Sequence, residues 1–237
     1  MKNAIVLCSG GIDSITTAYY VRKRLKYDKL IILFFNYKQR SLNSERLCAK
    51  KCAIDLNGKF LEINLSWLGN ISHSIINVNK SHKKIKRKEL KDTRKESQKY
   101  YVPSRNSIFI INAISISESL KIKEKSDYDI FVGFKAEGNE FYPDTTPEFV
   151  NQMNKLIKNT TKIKSRIIAP MIKKDKEDII KIGMNLGLNF DNTFTCYVGK
   201  EKHCGTCLAC RLRQEGFYWA NVKDSTVYKE RMKDSRS

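Results

Sequence analysis

Two short stretches of this chain hold residues whose types and spacing can do chemistry. The first is S-G-G-I-D-S, running from Ser9 to Ser14. Gly10 and Gly11 let the backbone approach a ligand without a Cβ clash. Ser9 and Ser14 offer hydroxyl donors. A helical pattern follows, whose first N–H groups are unpaired and lie at the positive end of the helix dipole. Together these features make a phosphate cradle, although the G-x-x-x-x-G-K-[ST] pattern of a Walker A loop is missing. Asp13 is the informative member. A carboxylate beside a phosphate cradle repels the ligand unless a cation bridges the two, and Mg²⁺ suits that place. The plainer alternative is a strand–turn–helix with glycines for turning.

The second stretch gives C-x7-C-x2-C-x2-C, from Cys196, Cys204, Cys207 and Cys210. Four thiolates suffice for a closed tetrahedral Zn²⁺ site, and the short x2 turns direct neighbouring sulfurs to one point. Gly205 fits the tight backbone of such a knuckle. Zinc is preferred to an iron–sulfur cluster, because nothing in the sequence calls for an electron carrier. A closed set makes His203 superfluous as a ligand and points to a structural ion. Cys8, Cys48 and Cys52 read as small buried hydrophobes, with a reactive Cys48–Cys52 pair as the alternative.

These residues need elements to position them. Apolar runs over residues 4–7, 30–36, 60–65 and 128–134 read as strands, and helical patterns fill 15–25, 45–56, 107–120, 146–160 and 176–186. Unbroken apolar strands alternating with helices predict an α/β fold: a doubly wound, mostly parallel sheet covered on both faces. Ligands of such sheets bind at the carboxyl ends of the strands, where residues 9–14 fall. The composition changes to Cys, Gly and Arg near residue 192. That change divides the chain into a main domain, 1–191, and a zinc-binding C-terminal segment, 192–237, packed on it.

Composition narrows the class. The chain has 237 residues, of which 41% are hydrophobic, enough for one sizeable core. No apolar run approaches the roughly 18 residues that cross a bilayer. The chain starts without a basic leader or cleavage signal, so a cytoplasmic protein is expected. Cysteines in that compartment do not form a disulfide framework. The net charge of +20 reflects either a lysine-rich chain or attraction to a polyanion such as ATP, RNA or DNA. Residues 80–99 hold ten Lys or Arg and three acidic residues, within a basic insertion spanning 72–99. Such a run reads as a solvated segment that adds little to the core and serves as a mobile lid over the site.

Further pieces follow in order along the chain. N-Y-K-Q-R-S-L-N-S-E carries Gln39, Arg40 and Glu45, and Y-V-P-S-R-N-S-I-F opens a helix at Arg105 and Asn106. Y-P-D-T-T-P-E-F surrounds Asp144, and A-P-M-I-K-K-D-K-E-D-I-I-K-I-G precedes the cysteine tail. In this order the chain resembles, over almost its whole length, the QueC family of 7-cyano-7-deazaguanine synthases, within the PP-loop superfamily of ATP pyrophosphatases. The resemblance implies the adenine nucleotide alpha hydrolase-like fold. It also implies an ATP-binding run of Cys8, Ser9, Gly10, Gly11, Ile12, Asp13, Ser14, Ile15, Thr16, Thr17 and Ala18. Asp13, Ser14 and Arg105 become the expected catalytic residues. Gln39, Arg40, Arg105, Asn106 and Asp144 become the expected substrate contacts.

The implied reaction takes 7-carboxy-7-deazaguanine, ammonia and ATP to 7-cyano-7-deazaguanine, through an adenylated carboxylate and an amide, with Mg²⁺ present and a homodimer expected. The residue types agree. Arg105 can clamp a phosphate or carboxylate bidentately. Asn106 offers a donor and an acceptor to a purine-like edge, and Asp144 can accept from a guanidine-like edge. In the plainer reading Arg105–Asn106 starts a helix and Asp144 forms a turn after Pro143. Lys174 or Lys176 either neutralises phosphate or is solvated. Three features depart from the family pattern. The first cysteine gap is seven residues where eight are expected, Ser41 replaces a common His, and the segment G-F-K-A-E-G-N-E-F before Tyr142 is unusual. Two other classes stay open: a PP-loop enzyme acting on tRNA or on a protein, and a non-enzymatic zinc module on nucleic acid. The Arg105 and Asp144 motifs favour the small base, so tight nucleic-acid binding is not expected.

Overall fold

The computed structural model describes residues 2–135, 142–199 and 201–231. The unusual segment before Tyr142 and the end of the C-terminal segment therefore lie partly outside the described residues. Strands β1 (Asn3–Leu7), β2 (Lys29–Asn36), β3 (Lys59–Asn64), β4 (Tyr128–Val132) and β5 (Ile167–Ile168) form one sheet in the order β3-β2-β1-β4-β5. Every pairing is parallel. β1 is central and wholly buried, and Leu7 faces Leu33 of β2 and Val132 of β4, so β1 and β4 end level while β2 runs on to Asn36.

Alternation along β1 feeds two cores. Ile5 and Leu7 pack with α5 (Arg105–Glu124) and α6 (Pro147–Thr160). Ala4 and Val6 pack with α1 (Ile12–Tyr19), α2 (Leu42–Asp55) and α7 (Lys176–Asn185). Both faces are covered, which is why the central strands read as continuous apolar runs. α8 (Leu208–Ala220) joins both cores, with Leu208 and Ala209 in one and Phe217 and Ala220 in the other. Among the described residues no helix is long and apolar enough to cross a membrane.

The four expected strands and five expected helices form, with shifted ends. α1 begins at Ile12, so Asp13 and Ser14 lie inside its first turn rather than ahead of it, and it runs on into a π-type turn, Tyr20–Arg24. The last expected strand stops at Val132. Four elements escape the periodicity: α3 (Ser66–Ile71), α4 (Arg94–Ser97), β5 and α8. β5 has two residues, and Asn154 of α6 bonds both the N–H and the C=O of Ile167. α8 buries Arg211, Arg213 and Gln214, which disguises its inward face.

The basic stretch is better anchored than its composition suggests. It contains a short 3₁₀ turn, Arg87–Lys91, and α4 (Arg94–Ser97). Ile85 is buried; its N–H donates to Thr206 and its C=O accepts from Arg211, both at 2.9 Å. Arg87 pairs with Glu215 at 2.9 Å and Lys84 with Glu230 at 2.6 Å. A run expected to add little to the core thus docks on the cysteine segment through one apolar anchor and acidic partners.

Candidate functional site

The strand order reverses at β1, between β2 and β4, and a cleft of about 320 Å³ opens at the carboxyl ends of these strands, the position expected for a ligand in an open α/β sheet. Residues 8, 9 and 11–14 line it. The Ser9 N–H donates to Ser14 Oγ at 3.2 Å, and Ser14 Oγ donates to the Gly11 carbonyl at 3.1 Å, closing the loop on itself. Gly10 has φ +79°, and a Cβ there would meet the Glu45 carbonyl at 2.5 Å, so only glycine lets the loop lie against α2. Gly11 precedes α1 without a side-chain cap, leaving N–H groups for an anion. The expected ATP-binding run is shorter in space than in sequence. Ile15, Thr16, Thr17 and Ala18 are buried and do not line the cleft, because the helix axis carries them away from its N-terminus at about 1.5 Å per residue into the packed interior.

Asp13 is not left to a metal for charge balance. Lys176, at the start of α7, reaches both its oxygens, at 2.8 and 2.6 Å, and both residues line the cleft. Lys176 supplies from the chain itself the positive charge that an unpaired Asp13 would need from a divalent cation. Of the two lysines singled out from the sequence, the structure brings only Lys176 to the cleft.

The expected substrate residues divide. Arg105 borders the cleft, half-buried, with its guanidinium 5.9 Å from the Tyr37 ring centre and its Nε 3.3 Å from Asn106 Oδ1. Gln39 lines it but is committed to the turn after β2. It accepts from the Tyr37 N–H and donates to the Phe35 carbonyl and to Glu45, each at 3.0 Å. Arg40 does not line the cleft; its Nη1 donates to the Lys80 carbonyl at 3.0 Å. Ser41 donates to Glu45 at 2.6 Å, and burial pushes the Glu45 carboxyl above its usual range. Asn106 faces the cleft while its amide donates to the Asp144 carbonyl at 3.3 Å. Asp144 Oδ2 accepts from the Asn106 N–H at 3.4 Å, at the start of α5. Asp144 itself borders a smaller chamber of about 30 Å³ that shares Ile76, Arg105, Tyr142 and Tyr197 with the cleft.

The cysteine centre is compact. The four sulfurs lie within 4.8 Å of one another, with Cys196–Cys207 and Cys204–Cys210 at 3.9 Å. A tetrahedral ion with bonds of about 2.3 Å has sulfur–sulfur edges of about 3.8 Å, so the set fits a single ion. Backbone N–H groups of Gly199 and Cys204 approach Cys196 Sγ at 3.0 and 3.3 Å, and that of Cys207 approaches Cys204 Sγ at 3.2 Å, which favours thiolates. These residues can hold a metal. His203 stands aside, its Nε2 accepting from the Thr195 N–H at 3.1 Å. Cys8 and Cys52 are buried, and burial pushes the Cys48 thiol up to about 12, leaving it a packing residue.

Comparison with known proteins fits this geometry. The 7-cyano-7-deazaguanine synthase of Methanosphaera stadtmanae is 35% identical over 231 residues, covering 96% of this chain and 98% of its own. That of Nitratiruptor sp. is 36% identical over 229 residues, covering 95% and 98%. Among solved structures, the U34-tRNA thiolase NcsA of Methanococcus maripaludis aligns over 93% of this chain and 64% of its own, at 15% identity and a TM-score of 0.45. The family model for queuosine biosynthesis protein QueC matches residues 3–221, and on that extent the chain belongs to the QueC family.

Proposed function

We propose that this chain is an ATP-dependent ligase forming carbon–nitrogen bonds, which converts 7-carboxy-7-deazaguanine and ammonia to 7-cyano-7-deazaguanine, a precursor of queuosine or archaeosine. The observation that carries the chemistry is the uncapped start of α1 opening beside Asp13 and Lys176 into a cleft that Arg105 also borders. A carboxylate is a poor electrophile. Transfer of the adenylyl group from ATP gives it a good leaving group, and pyrophosphate is held at the N–H groups of the loop. Ammonia then displaces AMP to give the amide, and a second activation dehydrates the amide to the nitrile. Ser14 shapes the loop, Lys176 balances Asp13, and Arg105 orients the carboxylate or the α-phosphate. Mg²⁺ arrives with ATP. Structural Zn²⁺ is held by Cys196, Cys204, Cys207 and Cys210. The enzyme works in the cytoplasm as a homodimer.

Oxygen labelling tests the reaction. With ¹⁸O in the substrate carboxylate, the products are AMP carrying the label and pyrophosphate. Label in inorganic phosphate, with ADP accumulating, would show transfer of the γ-phosphate and overturn the adenylation route.

A further inference from the structure

We infer that Phe194 and His203 are positioning residues of the phosphate loop: the Phe194 N–H fixes the orientation of the Gly10–Gly11 peptide, and His203 holds Phe194 in place to do so. This rests on the proposed reading of residues 9–14 as the pyrophosphate site. A peptide between two glycines rotates against little steric resistance, so a loop that must present its N–H to an anion needs a group outside it to choose the orientation. The Phe194 N–H donates to the Gly10 carbonyl at 2.8 Å. That peptide is planar and trans, so the Gly11 N–H points away from the carbonyl that Phe194 holds. Gly11 lines the cleft, and its N–H has no hydrogen-bond partner among the described residues. It is therefore left for an anion. Turned the other way, the same peptide would present its carbonyl oxygen where the N–H stands and would repel a phosphate.

Phe194 is itself held from the cysteine segment. The N–H of its neighbour Thr195 donates to His203 Nε2 at 3.1 Å, and the Phe194 and His203 ring centres lie 4.4 Å apart. His203 is buried, and its ring also meets that of Tyr228 at 5.7 Å, so aromatic contacts seat the imidazole. Arg213 donates to the Thr195 hydroxyl at 2.9 Å. Cys196 follows directly and carries the run into the four-sulfur cluster. The run 194–196 therefore has a fixed end at the cysteines and a working end at Gly10. His203, which the complete set of sulfurs leaves free of metal, ties the two together.

Calorimetric titration with inorganic pyrophosphate and Mg²⁺ tests the clamp, because it reads the loop without the adenine or the base. Replacing Phe194 by its α-hydroxy acid, phenyllactate, turns the amide between residues 193 and 194 into an ester. It deletes the N–H that reaches Gly10 and keeps the ring. Pyrophosphate affinity should fall about five- to ten-fold, the fold-change expected for one lost hydrogen bond, with zinc content and the KM for the carboxylate base nearly unchanged. His203→Ala should weaken pyrophosphate binding to a similar extent. His203→Gln, which keeps an acceptor for the Thr195 N–H, should restore most of it. If His203→Ala loses its metal, the ester variant decides. Unchanged pyrophosphate affinity in the ester variant would overturn the clamp and leave the reading of the loop standing. A loss in His203→Ala that His203→Gln does not reverse would make His203 a packing residue and overturn its positioning role. If the unaltered protein binds no pyrophosphate, residues 9–14 are not the pyrophosphate site, and the clamp falls with that reading.

Discussion

Asp13 and Lys176 are separated by 163 positions and meet at 2.6 Å. Their side chains are 27% and 16% exposed, so the pair is largely shielded from water and removing one partner leaves a poorly solvated charge. Its consequence is electrostatic. With Lys176 in place, the phosphate cradle faces a balanced ion pair rather than a bare carboxylate. Lys176→Met should keep the fold but lower the melting temperature, because it leaves the Asp13 carboxylate unpaired in a partly buried place. Turnover should fall by about 10²-fold or more, on the scale of losing one fixed charge at a transition state, and the KM for ATP should rise. Adding Asp13→Asn should recover part of the ATP affinity, because it removes the carboxylate left unpaired. Initial rates and thermal melts on the two single variants and the double variant measure the coupling.

The helices that hold this pair are themselves tightly fitted. A Cβ at Gly216 of α8 would lie 2.3 Å from Lys176 Cγ and 3.0 Å from Ile180 Cδ1 of α7. The bare backbone of α8 therefore sets where the Lys176 stem can run. Gly216→Ala should destabilise the protein by about 1–3 kcal/mol, the usual range for overpacking. It should also raise the KM for ATP, because the displaced stem carries its ammonium away from Asp13. Met153→Ala, a cavity-forming change in the buried face of α6, should cost at least as much stability and leave the KM for ATP unchanged. Denaturant unfolding with ATP kinetics on both variants separates displacement of Lys176 from general loosening.

At the scale of the whole molecule, the cysteine centre organises more than its own knuckle. Cys207 directly precedes α8 and Cys210 lies in its first turn. α8 enters both cores, and the basic stretch docks beside the centre through Ile85. Metal analysis should find about one zinc per chain. Chelation, or Cys207→Ser, should lower stability by several kcal/mol and melt the protein as one unit. A Cys207→Ser protein with full zinc content and an unchanged melting temperature would refute a structural four-sulfur site. The lysines and arginines of 80–99 partly serve this docking, through pairs with Glu215 and Glu230, which accounts for part of the positive charge without a nucleic acid.

Residues 9–14, the four cysteines and the covered parallel sheet were legible in the sequence because each is written in local spacing. A glycine turn, two x2 knuckles and unbroken apolar strands constrain the backbone within a few residues. The tertiary structure alone decided which distant groups meet. It turned Arg40 to the Lys80 carbonyl, paired Lys176 with Asp13, and set Asp144 against the start of α5 through Asn106. It also made α8 a core helix. Arg213 is fully buried there because the Thr193 and Thr195 hydroxyls, the Phe190 carbonyl and the Thr226 hydroxyl accept its hydrogen bonds. An arginine reads as solvent-facing in one dimension, and only acceptors gathered from other parts of the chain make its burial stable.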